Sequence, residues 1–157
     1  MRLIVFLDRT DKAILRELQS DCSITNVDLA ERVALSPPAC LKRVQRLTTE
    51  GVISRKVAIL NPEKLGNPLH IVVEVCMERD KKQINQNFIK QLQGVPEVKE
   101  CYQVTGEVDF VLIIDVADLR TYERLKETIF FSNENIKTFK TMISMNRAKY
   151  ETQLIID

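Results

Sequence analysis

A chain of 157 residues is long enough for one ordinary domain or two small ones. Apolar residues make up 45% and charged residues 29%, so it is expected to fold as a soluble globular protein. The net charge of +1 means that any nucleic-acid surface must be local, and no stretch reaches membrane-spanning length.

The opening MRLIVFLDRTD carries a short apolar run from Leu3 to Leu7, with acidic Asp8 and Asp11 close behind. It is too short for a signal peptide, and a cytoplasmic location is expected. None of Cys22, Cys40, Cys76 and Cys101 falls in a CxxC pair, and His70 alone cannot complete a zinc site with them at finger spacing. No metal site or cofactor is expected, and the cysteines read as buried free thiols in a reducing compartment.

Three helices are expected before Ile53. The first covers about Thr10 to Gln19, with Ile14, Leu15 and Leu18 at helical spacing and Asp8, Thr10 and Asp11 as capping oxygens. The second covers about Asn26 to Val33, capped by Thr25 or Asn26. Asp28 sits in its first turn, and Val27, Leu29, Ala30 and Val33 form its inner face. The third starts at Ser36-Pro37, where Ser can accept from a free helix amide and Pro lacks the hydrogen that would be orphaned, and it stops at Gly51.

The short join between the second and third helices is the informative feature. Only Ala34-Leu35-Ser36 separates them, which forces a sharp turn and crosses one helix over the other, as in a helix-turn-helix from Asn26 to about Gln45. On the third helix Leu41, Val44 and Leu47 are expected to face the core. From Lys42 to Lys56 five cations (Lys42, Arg43, Arg46, Arg55 and Lys56) stand against Glu50 alone. Such a helix inserts its N-terminal part into the major groove of double-stranded DNA. Ser36, Pro38, Ala39, Lys42 and Arg43 are placed near bases, Arg46 and Lys56 near phosphates, and Asn26 at the start of the second helix.

Ile53 to Leu60 alternates and reads as a strand. NPEKLGNP, with two prolines and a glycine in eight residues, marks a boundary near Asn61 to Pro68. Beyond it come a strand (Leu69–Met77), a helix (Lys82–Gln93) and a strand (Val98–Val104). A turn at Thr105-Gly106-Glu107 leads into a strand (Val108–Val116), and a helix follows from Asp118 to about Phe131. A strand from Ile136 to Arg147 and a tail strand from Lys149 to Ile156 close the chain. The expected class is α+β: a winged helix-turn-helix domain in residues 1–62, then a ferredoxin-like βαββαβ domain in residues 63–157. Both faces of the expected sheet carry apolar residues, with Val72, Cys76, Val111 and Ile113 on the side away from the helices. Such a patch is expected to be covered by the same face of a second copy, giving a homodimer suited to two-fold DNA sites.

These segments resemble the Lrp/AsnC (feast/famine) transcription regulators. The resemblance rests on LDRTDKAILRELQSD, ITNVDLAERVALSPPACLKRVQRLTTEGVI, AILNPEKLG and VPEVKECYQVTGEVDFVL, and covers nearly everything from Leu7 onward. Three departures are Ala34 for the usual turn glycine, Pro38 directly after Pro37, and the apolar segment before Leu7. The resemblance implies a DNA-binding domain, an effector and assembly domain, dimers that associate further, often into octamers, and a free amino acid bound between dimers.

For such an effector, Gly106 in a tight turn can present backbone amides to a carboxylate. Asp109 can pair with an α-ammonium group, Thr105 and Gln103 can add polar contacts, and Ser144 is a further candidate. Two readings stand at this turn: a ligand cradle, or a turn whose Gly106 only supplies positive φ beside an exposed acid. The chain has no phosphate loop, no nucleophile-and-base pairing and no metal cluster, so an enzyme is not expected. The alternative to an effector-responsive regulator is an architectural DNA-binding protein with no effector.

Overall fold

The computed structural model describes residues 5–66, 68–78 and 81–157. The apolar run expected from Leu3 therefore begins outside the described residues, and Asn67 of the expected linker also lies outside them. The chain forms two units: one up to Ile59 together with Lys149–Asp157, the other from Leu60 to Ala148.

The first unit holds three helices, α1 (Arg9–Ser20), α2 (Asn26–Arg32) and α3 (Pro37–Thr49). Helix α1 begins with a capping box: the Asp8 carboxylate accepts from the Asp11 amide at 2.8 Å, and the Asp11 carboxylate accepts from the Asp8 amide at 3.2 Å. Thr25 caps α2 by accepting from the Asp28 amide. The turn after α2 is a Schellman closure. The Leu35 amide donates to the Ala30 carbonyl at 2.9 Å, and the Ala34 amide donates to the Glu31 carbonyl at 3.2 Å. Ala34 holds φ 53°, so the left-handed residue that such a turn requires is present without glycine. The cost is about 1 kcal/mol of backbone strain. Helix α3 closes the same way on Gly51, at φ 74°.

Ile14, Leu15, Leu29, Ala30, Cys40 and Leu47 form the core of this unit. Two residues expected there are outside it: Val27 is 61% exposed and Leu41 is 47% exposed. Helix α3 buries Cys40 and Leu47 and half-buries Val44, a spacing of four and three residues rather than the expected three and three. Ser36 stands at the N-cap but its side chain makes no capping hydrogen bond.

The strand expected at Ile53 to Leu60 does not form. A lone extended segment leaves its ladder of amides and carbonyls unpaired, and the described residues of this unit supply no neighbouring strand. Val57 and Ile59 are left exposed. The tail strand expected at Lys149 to Ile156 is likewise absent, and these residues lie on α1. Arg16 donates to the Ile156 carbonyl at 3.1 and 2.7 Å, Gln19 Nε2 donates to the Leu154 carbonyl at 3.1 Å, and the Leu154 amide donates to Gln19 Oε1 at 2.6 Å. Ile156 packs against the three-helix core. A cavity of about 790 Å³ remains between the end of α1, residues 52–59 and residues 154–156.

The second unit runs β1 (Leu69–Met77), α4 (Lys82–Gln93), β2 (Val98–Gln103), β3 (Phe110–Val116), α5 (Leu119–Lys126) and β4 (Ile136–Ile143). The sheet order is β2-β3-β1-β4 with every pair antiparallel, which is the ferredoxin-like arrangement expected. Burial alternates strictly along β3 and along β1 from His70 onward. Ile71, Val73, Val75, Phe110, Leu112 and Ile114 face the helices and pack on Phe88, Leu92 and Tyr122. The helix after Asp118 continues to Phe131 but widens into a π turn at Glu127–Phe131. Ile129 and Phe130 on this turn are both buried in the core. Strand β4 stops at Ile143, short of the expected Arg147.

Candidate nucleic-acid interface and effector turn

In α3 the polar residues divide into two sets. Arg43 and Arg46 turn back toward α1. Arg43 Nη1 donates to Asp8 Oδ2 at 2.6 Å and to Asp11 Oδ1 at 2.9 Å, and Arg46 Nη2 donates to Asp11 Oδ2 at 2.5 Å. Asp11 is 1% exposed, so its charge needs both guanidinium groups. The Arg43 guanidinium holds the Asp8 carboxyl below its ordinary range, and Asp8 and Asp11 raise Arg43 in return. Two of the expected DNA cations are thus engaged within the unit. Their partners were legible only as capping residues, because the α1–α3 crossing that brings them under α3 is a tertiary feature.

The other set faces outward. Ser36, Pro38, Ala39, Lys42 and Gln45 are exposed, and among the described residues Lys42 and Gln45 make no side-chain hydrogen bond or ion pair. Asn26 does a different job: its Nδ2 donates to the Pro37 carbonyl at 2.8 Å, tying the start of α2 to the start of α3. Lys56 is exposed in the irregular segment after α3. Of the five cations counted from Lys42 to Lys56, Lys42, Arg55 and Lys56 remain unpaired among the described residues.

In the second unit, Gln103 ends β2, and Thr105 and Gly106 follow on the exposed β2–β3 connection, with Gly106 at φ 128°. Asp109 is half-buried at its base and is structurally occupied. Its Oδ2 accepts from the Met77 amide at 2.6 Å, its amide donates to the Val75 carbonyl at 2.9 Å, and its carbonyl accepts from the Val104 amide at 3.0 Å. It is therefore not the merely exposed acid of the simpler reading. Cys76 Sγ adds a contact to the Glu107 carbonyl at 3.5 Å. The alternation of β1 puts Cys76 on the open face, but nothing in the sequence singles it out beside this turn.

Ser144 does not join this group. Its amide donates to the His70 carbonyl at 2.8 Å, at the Leu69 end of β1, whereas the turn is at the Met77 end. Six residues of strand rise separate Ser144 from the base of the turn by about 20 Å.

The open sheet face carries Val72, Val111, Ile113 and Met142 in adjacent register. Flanking them are the His70–Asp115 contact at 2.7 Å and the Glu74–Lys140 contact at 4.0 Å. Tyr102, 51% exposed, hydrogen-bonds Glu100, which raises the Tyr102 phenol. Of the four cysteines expected to be buried, Cys40 is buried, Cys76 and Cys101 are half-buried and Cys22 is exposed. Burial pushes the Cys40 and Cys101 thiols up. Among the described residues no helix is long and apolar enough to cross a membrane.

Comparison with known proteins gives one consistent answer for both units. Residues 7–54 match a family model described as winged helix-turn-helix DNA-binding, and residues 70–154 match the Lrp/AsnC ligand binding domain. An HTH-type transcriptional regulator of Sinorhizobium fredii is 40% identical over 143 residues, covering 91% of this chain and 85% of the relative. The leucine-responsive regulatory protein of Haemophilus influenzae is 37% identical over 150 residues, covering 96% and 90%. Among solved structures, an AsnC family transcriptional regulator from Agrobacterium tumefaciens superposes with a TM-score of 0.87 at 32% identity, covering 95% of this chain and 97% of its own. A transcriptional regulator from Neisseria meningitidis, solved as its L-Met complex, gives 0.86 at 31%, covering 96% and 97%. These relatives are regulatory proteins. This chain belongs to the Lrp/AsnC family, as a DNA-binding transcriptional regulator with a winged helix-turn-helix and a ligand-binding domain.

Proposed function

We propose that the chain binds double-stranded DNA through the N-terminal half of α3. Ser36, Pro38, Ala39 and Lys42 lie at the bases, and Lys56 lies near a phosphate. Arg43, Arg46 and Asn26 position the helix from behind rather than reading DNA. The observation that carries this is the division of α3: its arginines are turned to Asp11 while Lys42 stays free and exposed. Lys42→Ala should weaken binding, relax specificity at the base it faces and lower the salt slope by about one unit, as expected on losing one cation from the groove. An unchanged slope would place the interface elsewhere.

The effector is an amino acid bound at the turn from Gln103 to Asp109. In this reading the Gly106 region receives the carboxylate, and the carboxylate of Asp109 balances the ammonium group. The L-Met complex of the Neisseria regulator supports the chemical class. In the single chain the turn is open to solvent. Assembly through the apolar sheet face into a homodimer, and further into an octamer, would bring other copies to such sites, most plainly because a patch of Val72, Val111, Ile113 and Met142 is costly in water.

Because Asp109 accepts from the Met77 amide, Asp109→Ala would disturb the sheet as well as the ligand. Asp109→Asn keeps the acceptor and removes the charge. Titration calorimetry over the twenty amino acids should find a ligand for the wild type that Asp109→Asn binds at least tenfold more weakly, a loss of about 1.4 kcal/mol. A wild type that binds none of them would favour the effector-free architectural reading.

A further inference from the structure

The outward stripe of α3 is not the basic surface that its composition suggests. Pro38, Leu41 and Gln45 are spaced three and four residues apart, so they share one face of the helix, with Lys42 along its other edge. Cys40, Val44 and Leu47 face the core, and Arg43 and Arg46 are held by Asp8 and Asp11. This leaves Leu41, 47% exposed, on the outward stripe beside the unpaired Gln45, with the unpaired Lys42 on the same outward side of the helix. The uncapped hydroxyl of Ser36 lies one turn before it. Leu41 stands outside the core cluster of its own unit. Its place among groove-directed polar groups fits one apolar feature of the major groove, the 5-methyl group of thymine.

We propose that Leu41 is a base-reading residue that recognises the methyl group of a thymine in each half-site. The proposal rests on α3 being the recognition helix. Lys42 and Gln45 hold the same face against the groove, and Leu41 supplies a contact that distinguishes A·T from G·C at its position. Burying one methyl group is worth about fourfold in affinity.

The test begins with the full-length protein and a random duplex library, from which the preferred half-site is enriched. Each thymine in it is then replaced singly by deoxyuridine, which removes only the methyl group. One replacement per half-site should weaken the wild type by about fourfold and leave Leu41→Ala unmoved. Leu41→Ala should melt with the wild type, since the side chain is half in solvent. If no replacement affects the wild type, or if each affects the wild type and Leu41→Ala alike, the proposal is overturned while DNA binding by α3 stands. If the wild type enriches no sequence and Lys42→Ala leaves the salt slope unchanged, the recognition-helix reading itself fails, and this assignment fails with it.

Discussion

Asp11 is the most constrained side chain of the DNA-binding unit. It is 1% exposed, it closes the capping box of α1, and it accepts from both Arg43 and Arg46. A buried carboxylate is tolerated only when its oxygens are satisfied by charge-assisted hydrogen bonds. Arg43→Ala removes one of them and should destabilise the unit by about 1–2 kcal/mol in thermal or urea melts, a figure discounted for the half-exposed guanidinium. Its salt slope on DNA should not change, which separates a positioning arginine from a phosphate contact. A slope lowered by one unit, with stability intact, would return Arg43 to the interface. The link also has a pH sign. Because Arg43 lowers the Asp8 carboxyl, its contribution is full above the ordinary aspartate range and is lost as pH falls through the lowered value. At Arg43 the sequence yields the charge but not its direction, since a lysine or arginine stem can swing to either side of its helix.

Elements differ in how much of their form is local. Strand β1 and helix α4 follow directly from apolar periodicity and keep their expected bounds, and β3 starts two residues later than expected, at Phe110, because burial on one face repeats every two or about four residues. Helix α3 was legible as a helix, from Ser36-Pro37 to Gly51, but not in its rotation, since Leu41 and Cys40 are equally acceptable core residues by composition. Its cap differs as well. Asp118 accepts from the Thr121 amide at 2.7 Å at the start of α5, whereas Ser36 caps nothing. Asp118→Ala should lower the denaturant midpoint measurably and Ser36→Ala hardly at all. Equal costs would mean that Ser36 does cap α3 in solution. The segment Ile53 to Leu60 shows the opposite failure. Its alternation is real, but a strand exists only where a second strand completes its hydrogen bonds.

For the molecule as a whole, the two units differ in chain connectivity. The ligand-binding unit is one continuous stretch, Leu60–Ala148, whereas the DNA-binding unit is completed by Lys149–Asp157 from the other end of the chain. A stop after Thr152 removes Ile156 from the three-helix core and takes away the partners of Arg16 and Gln19. It should lower the stability of the DNA-binding unit by about 2 kcal/mol, seen as faster hydrogen exchange of α1 amides, while α4 and β1 keep their protection. Unchanged exchange in α1 would mean that the tail only rests on the surface. Periodicity could not reveal this, because a segment of nine residues carries no mark of which distant helix it will cover.

The sequence by itself determined the three helices of the DNA-binding unit, the βαββαβ order of the ligand-binding unit and the sharp turn between α2 and α3. All of these depend on neighbours within a few residues: apolar spacing, caps, and the conformations that glycine and proline allow or that Ala34 must adopt. Tertiary structure alone decided which cations of α3 stay free, which face Leu41 takes, that Asp109 is tied into the sheet, and where the C-terminal residues lie. These depend on groups brought together from 30 to 140 positions apart in the chain, such as Arg43 with Asp11 and Arg16 with Ile156. Their pairing energies are comparable to the cost of turning a side chain to water, so the packed fold, rather than the local sequence, chooses between them.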